Sequence, residues 1–211
     1  MNVKQAKVAI GSDLGTPSKM PGYSYSFSAT LCRVGSKLRK IPGSVCASCY
    51  ALRGNYATRS VKLSHERRLA AYLTDRESWI AGMIFLISRR AAPDDPYFRG
   101  HDSGDLLDLQ HLLAWVDVAR GVPWVRFWIP SREYQTVTAA QALLGSAWPV
   151  NLVVRTSAHM IGAPPPKTHP LTSTVDGGTG HPCPAPTQGN NCGSCRACWD
   201  PAVANIDYHQ H

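Results

Sequence analysis

Seven cysteines fall into two groups near opposite ends of this 211-residue chain, and no other feature narrows its possible folds as much. The first group is Cys32, Cys46 and Cys49, spaced C-x13-C-x2-C. The second is Cys183, Cys192, Cys195 and Cys198, spaced C-x8-C-x2-C-x2-C. Thiolates two residues apart reach one metal centre from a single turn of chain. One zinc ion takes only four ligands, whereas two cubic four-iron clusters would take eight. Seven cysteines divide as four for one cluster and three for another, which leaves that second cluster an open iron. Structural zinc is the competing reading, because C-x2-C pairs are its usual signature. A disulfide framework is disfavoured by the odd count and by the lack of a secretory signal pattern. The start of the chain therefore points to the cytoplasm. Cys32 has a further, plainer reading as a small buried side chain after an apolar run.

The hydrophobic fraction of 44% suffices for a real core, and no run of 18 apolar residues suggests a membrane span. The formal charge of +8 favours a polyanionic partner such as nucleic acid. Its densest stretch, Arg33 to Lys40, lies beside the first cysteine. Solvated surface charge accounts for that stretch equally well.

Up to Gly22 the chain reads as irregular, being rich in Gly, Ser, Pro and Lys. SYSFSA (24–29) then alternates aromatic and small polar residues, as a strand does. A basic helix is expected from about Tyr56 to Leu73. A second should begin at Asp75 as N-cap, with Trp79, Met83 and Ile87 on its core face.

Strand and helix then alternate. YFRGHDSGD reads as a strand, DLLDLQHLLAWVDVAR as an amphipathic helix and PWVRFWIPSRE as a strand. A helix over about 134–144 follows, then VNLVVRTS as a strand. This rhythm implies parallel β/α units with right-handed crossovers. In such folds ligands gather at the carboxyl ends of strands. Those ends carry His101, Asp102, Ser103 and Asp105, then Ser131, Arg132 and Glu133, then Arg155, Thr156 and Ser157. Asp102, Asp105 and Glu133 are the candidate proton-handling groups. His101, Ser103, Arg132, Arg155 and Ser157 are the candidate cofactor or substrate contacts, with Arg155 suited to a carboxylate. Polar loops follow strands everywhere, and Asp105 has the alternative role of capping the next helix. Gly104 would let the backbone approach a ligand closely.

Beyond His159 regular structure fades. GAPPPKTHP is a connection, because three successive prolines remove backbone donors. LTSTV suits a last strand. The second cysteine group has little core of its own, so its fold should depend on metal. DPAVANIDYHQH should be a short helix capped by Asp200, and His209 and His211 a frayed tail.

Six blocks carry a resemblance to a known family. They are KMPGYSYSFSATLC (19–32), PGSVCASCYALRGNY (42–56), FRGHDSGD (98–105), FWIPSRE (127–133), NLVVRTS (151–157) and CGSCRACWD (192–200). With these blocks the chain resembles the gene-product-88 family of small bacteriophage proteins. That resemblance implies expression inside an infected bacterium and names no reaction. CASCYA, following the first strand, also resembles the end of the cluster loop of radical S-adenosylmethionine enzymes. There three cysteines spaced C-x3-C-x2-C hold a four-iron cluster whose open iron binds S-adenosylmethionine. That resemblance implies a partial β/α barrel, a reactive cluster on Cys32, Cys46 and Cys49, and an auxiliary one on the other four cysteines.

The expected fold is α/β: a partial parallel β/α barrel or open parallel sheet, followed by an irregular Cys-rich metal-binding segment. The division falls at 1–160 for the β/α domain and 161–211 for the connection and cluster segment. The leading expectation is an iron–sulfur protein with one or two four-iron clusters, acting on a small-molecule or nucleic-acid substrate, with S-adenosylmethionine as a further cofactor. Two alternatives remain. One is a nucleic-acid- or protein-binding module stapled by iron–sulfur or zinc; the other is an electron-transfer protein, which has no use for polar groups at three strand ends.

Overall fold

The β/α rhythm builds one sheet in the computed structural model, which describes residues 1–167 and 169–210. Thr168 of the proline-rich connection and His211 of the expected tail lie outside the described residues. The strands are β1 (Tyr23–Tyr25), β2 (Tyr97–Gly100), β3 (Arg126–Ser131), β4 (Leu152–Ser157), β5 (Thr172–Val175), β6 (His181–Pro182) and β7 (Asn205–Tyr208). Their order is β1-β2-β3-β4-β5-β7-β6 and every pairing is parallel. The sheet is open, with β1 and β6 as its edges. It runs across residue 160 without a break, from β4 into β5.

Strands added successively in one direction, with right-handed crossovers, put their helices on one face. The helices are α1 (Val3–Ala9), α2 (Arg33–Leu38), α3 (Arg59–Thr74), α4 (Arg76–Arg90), α5 (Leu109–Gly121) and α6 (Tyr134–Leu144). Burial follows the period-2 alternation of the strands. Phe98, Phe127, Ile129, Leu152 and Val154 meet Trp79, Met83, Leu86, Ile87, Leu112, Trp115 and Val137 in the main core. The residues between them, Trp128 and Val153, point to the other face and pack with Trp199 from the C-terminal segment. That second face is therefore covered by loops instead of helices.

Asp75 caps α4 by accepting from Ser78 N at 2.9 Å, as its position predicts. Three local expectations are corrected. The first ten residues are not irregular: Asn2 and Gln5 form a reciprocal capping box at 2.9 and 3.0 Å that starts α1. The strand expected over 24–29 ends at Tyr25, because Ser28 caps a short turn over Ala29–Leu31 that delivers Cys32. The last segment is a strand, not a helix. Its Ile206 is buried, and Thr172 and Thr174 on β5 donate to the side chains of Asn205 and Asp207 at 2.9 and 2.6 Å. Cross-strand pairing outweighs the local Asp-Pro cap signal. LTSTV is accordingly followed by two more strands.

Candidate functional site

A cavity of about 750 Å³ opens at the carboxyl ends of the strands. Cys32, Cys46 and Cys49 line it from the N-terminal loop, and Cys183, Cys192 and Cys198 from the C-terminal segment. His101, Asp102, Ser103, Gly104, Asp105, Arg132 and Ser157 line it from β2, β3 and β4. The sequence assigns these residues to one end of a parallel sheet, and the topology brings them to one space. Cys195 faces a neighbouring hollow of about 470 Å³, with its Sγ 3.6 Å from His181 Nε2. All seven thiols are free.

Local structure presents the first group. Cys32 sits between the 29–31 turn and α2, and Glu133 accepts from Val34 N at 2.8 Å, which seats the start of that helix. Ser44 donates to Leu38 O at 2.6 Å and tightens the turn that carries Cys46. Val45 N donates to His159 O at 3.0 Å, which ties the loop to the chain leaving β4. Gly35 leaves the space the sulfurs need. A Cβ there would stand 2.9 Å from Cys32 Cβ, and 3.6 and 3.7 Å from the Sγ atoms of Cys46 and Cys32. The two sulfurs converge over a spot that any side chain would fill.

The second group is held from beneath by Arg155, which is fully buried. Its guanidinium donates to the carbonyls of Ala197 and Cys198 at 3.0 Å, and to those of Asp200 and Val203 at 2.7 Å. Arg155 therefore lies under the loop and not in the cavity. Trp199 adds a hydrogen bond to Phe98 O at 2.9 Å and edge contacts with Trp128 and Tyr97. The segment thus carries packing that its composition does not advertise. Tyr208 Oη lies 3.1 Å from Cys198 Sγ.

Charge is arranged around both groups. Burial pushes the Cys32 thiol up to about 12, with Asp105, Cys49 and Cys46 adding to the rise and Arg132 opposing it. Burial raises Cys46 and Cys198 as well, the latter to about 11. Asp105 accepts from Ser131 Oγ at 2.6 Å and from Arg132 N and Leu106 N at 2.8 Å. Burial outweighs those bonds and lifts its carboxyl to about 6. Asp105 does not cap α5; Asp108 does, through His111 N at 2.8 Å. Asp102 accepts from Tyr56 Oη at 2.9 Å. Ser157 Oγ pairs with Ser173 Oγ at 2.8 Å. Gly104 has φ +72°, and a Cβ there would stand 2.8 Å from Phe27 O, so its backbone approaches the chain after β1. Glu133, like Arg155, is spent on the scaffold.

Several buried side-chain N and O atoms have no hydrogen-bond partner among the described residues. They belong to Arg39, Arg99, His101, Asp102, Ser103, Trp128, Arg132 and His169. All but His169 line this one cavity. Buried polar groups are nearly always satisfied, so such clustering marks a space shaped for a polar occupant. His101 holds φ +61°, and burial drives its imidazole down to about 4. The sequence reading missed Arg99, Tyr50, Tyr56 and Tyr208. Arg99 carried a signal, being a charged residue inside a four-residue strand.

Among the described residues, no three His, Cys, Asp or Glu side chains are arranged to hold a single metal ion. Four thiolates at about 2.3 Å from one zinc would stand about 3.8 Å apart, whereas a cluster spreads its thiolates wider. The donors are all sulfur in both groups, and Gly35 leaves room behind two of them. The described residues thus offer thiol donors in both groups without a preformed site for a single ion.

No curated protein matches the chain, and no solved structure does. Residues 2–201 match the family described as Gene product 88. That match spans nearly the whole chain, which therefore belongs to the Gene product 88 family.

Proposed function

We propose that this chain is an iron–sulfur enzyme related to the radical S-adenosylmethionine type, working in a phage-infected bacterial cell. The observation that carries the reading is one cavity at the strand ends, lined by six of the seven cysteines, drawn from both groups, and by seven of the eight residues with orphaned buried polar atoms. The all-parallel sheet, with β1 to β5 in sequence order, supports it, because a cysteine loop following β1 must then emerge where the other strands end. Cys32, Cys46 and Cys49 would hold one cluster, and Cys183, Cys192, Cys195 and Cys198 an auxiliary one. When bound, a cluster with an open iron supplies one-electron chemistry on S-adenosylmethionine, while the protein supplies orientation and electrostatics. Arg132, His101 and Ser103 offer donors and acceptors to cofactor or substrate. Asp102 and Asp105 hold or move a proton at the cavity wall.

The test is S-adenosylmethionine cleavage by anaerobically purified, chemically reduced protein. Formation of 5′-deoxyadenosine that stops in Cys49→Ser supports the reading, and full metal loading without cleavage rejects the enzyme assignment. A second reading rests on the C-terminal group, whose C-x2-C-x2-C spacing is also that of a structural zinc site. Stoichiometric zinc there, with nucleic-acid binding that weakens steeply with salt, would favour a binding module.

A further inference from the structure

The whole net charge of the chain comes from one stretch. Residues 14–65 carry eight Lys or Arg and no Asp or Glu, while the rest of the chain carries fourteen of each. This stretch supplies the part of the cavity lining that runs from Pro17 to Tyr56. The same imbalance holds within the cavity, where Lys19, Arg39, Arg99 and Arg132 stand against Asp102 and Asp105. Among the described residues none of the four cations forms an ion pair. Asp102 acts on Arg99 and Asp105 on Arg132. Setting each acid against its arginine still leaves two positive charges. The thiols do not take them up: the hydrogen-bonded ones, Cys195 and Cys198, meet His181 and Tyr208. Clefts walled by one sign of charge concentrate ligands of the other.

The hydrogen-bonding groups point the same way. Four of the enclosed, unpartnered atoms lining the cavity can only donate: the Nε atoms of Arg39, Arg99 and Arg132, and Trp128 Nε1. One, Asp102 Oδ1, can only accept. The Arg132 guanidinium donates no hydrogen bond among the described residues, and its two terminal nitrogens, unlike Nε, are not enclosed. Arg39 gives one bond, to Ala29 O at 3.2 Å. The terminal nitrogens of Arg99 meet only Met20 Sδ at 3.0 Å and Tyr50 Oη at 3.5 Å. The space thus calls for a ligand rich in acceptors and carrying about two negative charges. A carboxylate brings one charge. A phosphate monoester brings about two, with three strong acceptor oxygens. A volume of about 750 Å³ leaves room for an organic body beside the phosphate.

We infer that the cavity receives a small organic phosphate, with Arg132 as its phosphate contact and Arg39 and Arg99 adding to the positive field. As a substrate class this rests on the enzyme reading above; as a binding site it stands on the cavity alone.

The experiment is titration calorimetry on the full-length protein with three probes: inorganic phosphate, adenosine 5′-monophosphate and adenosine. The monophosphate should bind at least about tenfold more tightly than adenosine, the range expected of hydrogen bonds to a charged group. Arg132→Gln should weaken it by about tenfold or more. Lys62→Gln, which removes one charge from the same basic stretch on an exposed helix surface, should stay within about twofold. Should Arg132→Gln lose the wild-type circular dichroism spectrum, Arg39→Gln carries the same test, with a loss of about threefold or more expected. Equal affinity for the monophosphate and adenosine overturns the inference, as does no binding of either the monophosphate or inorganic phosphate. Equal losses in Arg132→Gln and Lys62→Gln also overturn it, because bulk charge would then account for the binding. None of these titrations needs a reductant or a cleavage product. Their failure therefore leaves the S-adenosylmethionine test standing, and phosphate binding without cleavage would reject the enzyme reading while keeping this site.

Discussion

Gly35→Ala separates the shape of the first cysteine group from the stability of the fold. Two effects oppose each other in the metal-free protein. Gly35 lies within α2, so alanine gains about 0.8–1 kcal/mol of helix propensity. The new methyl would stand 2.9 Å from Cys32 Cβ, inside normal contact distance. Forcing an extra group into a packed site costs about 1–3 kcal/mol. The net loss is therefore about 0–2 kcal/mol, or a fall in Tm of about 0–8 °C for a chain of this size. That is too little to unfold the protein. With metal bound, Cys32 can no longer turn away from the methyl that would stand 2.9 Å from its Cβ. Metal retention at this group should fall by about tenfold or more, the range seen when a ligand's support is disturbed. The assay is thermal denaturation of the metal-free form, paired with metal titration in a Cys198→Ser background. A raised Tm together with undiminished loading would refute the claim that the sulfurs converge over Gly35.

Asp105 gives a pH test on metal-free protein. Its folded carboxyl titrates near 6 against an ordinary 3.8, so its contribution is fully present below about pH 4 and is lost as pH rises through 6. That loss is worth about 3 kcal/mol. Asp105→Asn should therefore destabilise at pH 4, where the acid is neutral and well bonded, and be close to neutral at pH 8. Parallel urea curves at the two pH values would contradict this. Trp199→Ala removes a 3% exposed indole and its bond to Phe98 O, and should cost about 3–5 kcal/mol. Limited proteolysis should then cut first after residue 180, and uniform resistance would count against Trp199 as the clamp. Gly22→Ala should destabilise strongly, because φ there is +67° and a Cβ would run into Tyr97 O at the start of β2. Wild-type stability in that variant would mean the N-terminal segment does not lie against β2 as described.

Legibility in the sequence followed how local each signal was. Asp75 with its helix, the helix over 134–144 and the strands FWIPS and LVVRTS are set by nearby residues, and each lies where its pattern puts it. The reciprocal Asn2–Gln5 cap was equally local and was outweighed in the reading by the segment's Gly and Pro content. The strand Asn205–Tyr208 was illegible for a different reason. Its partners, β5 and β6, are about 20–35 residues away, and only the sheet tells a strand from a helix there. Arg155 shows the same limit. An arginine in an apolar strand signals a buried partner, but nothing local distinguishes a ligand carboxylate from a ring of carbonyls brought back by the C-terminal segment. That six of the seven cysteines, from both groups, open on one cavity depends on this same return of the chain, and spacing alone does not encode it.

The most direct test of the central claim is quantitative iron, acid-labile sulfide and zinc analysis of anaerobically purified wild-type protein beside Cys46→Ser and Cys198→Ser. The account predicts about eight irons and about eight sulfides per chain, with each substitution removing about half of both. Stoichiometric zinc without sulfide, or loss of all iron in both variants together, would contradict two iron–sulfur sites facing one cavity.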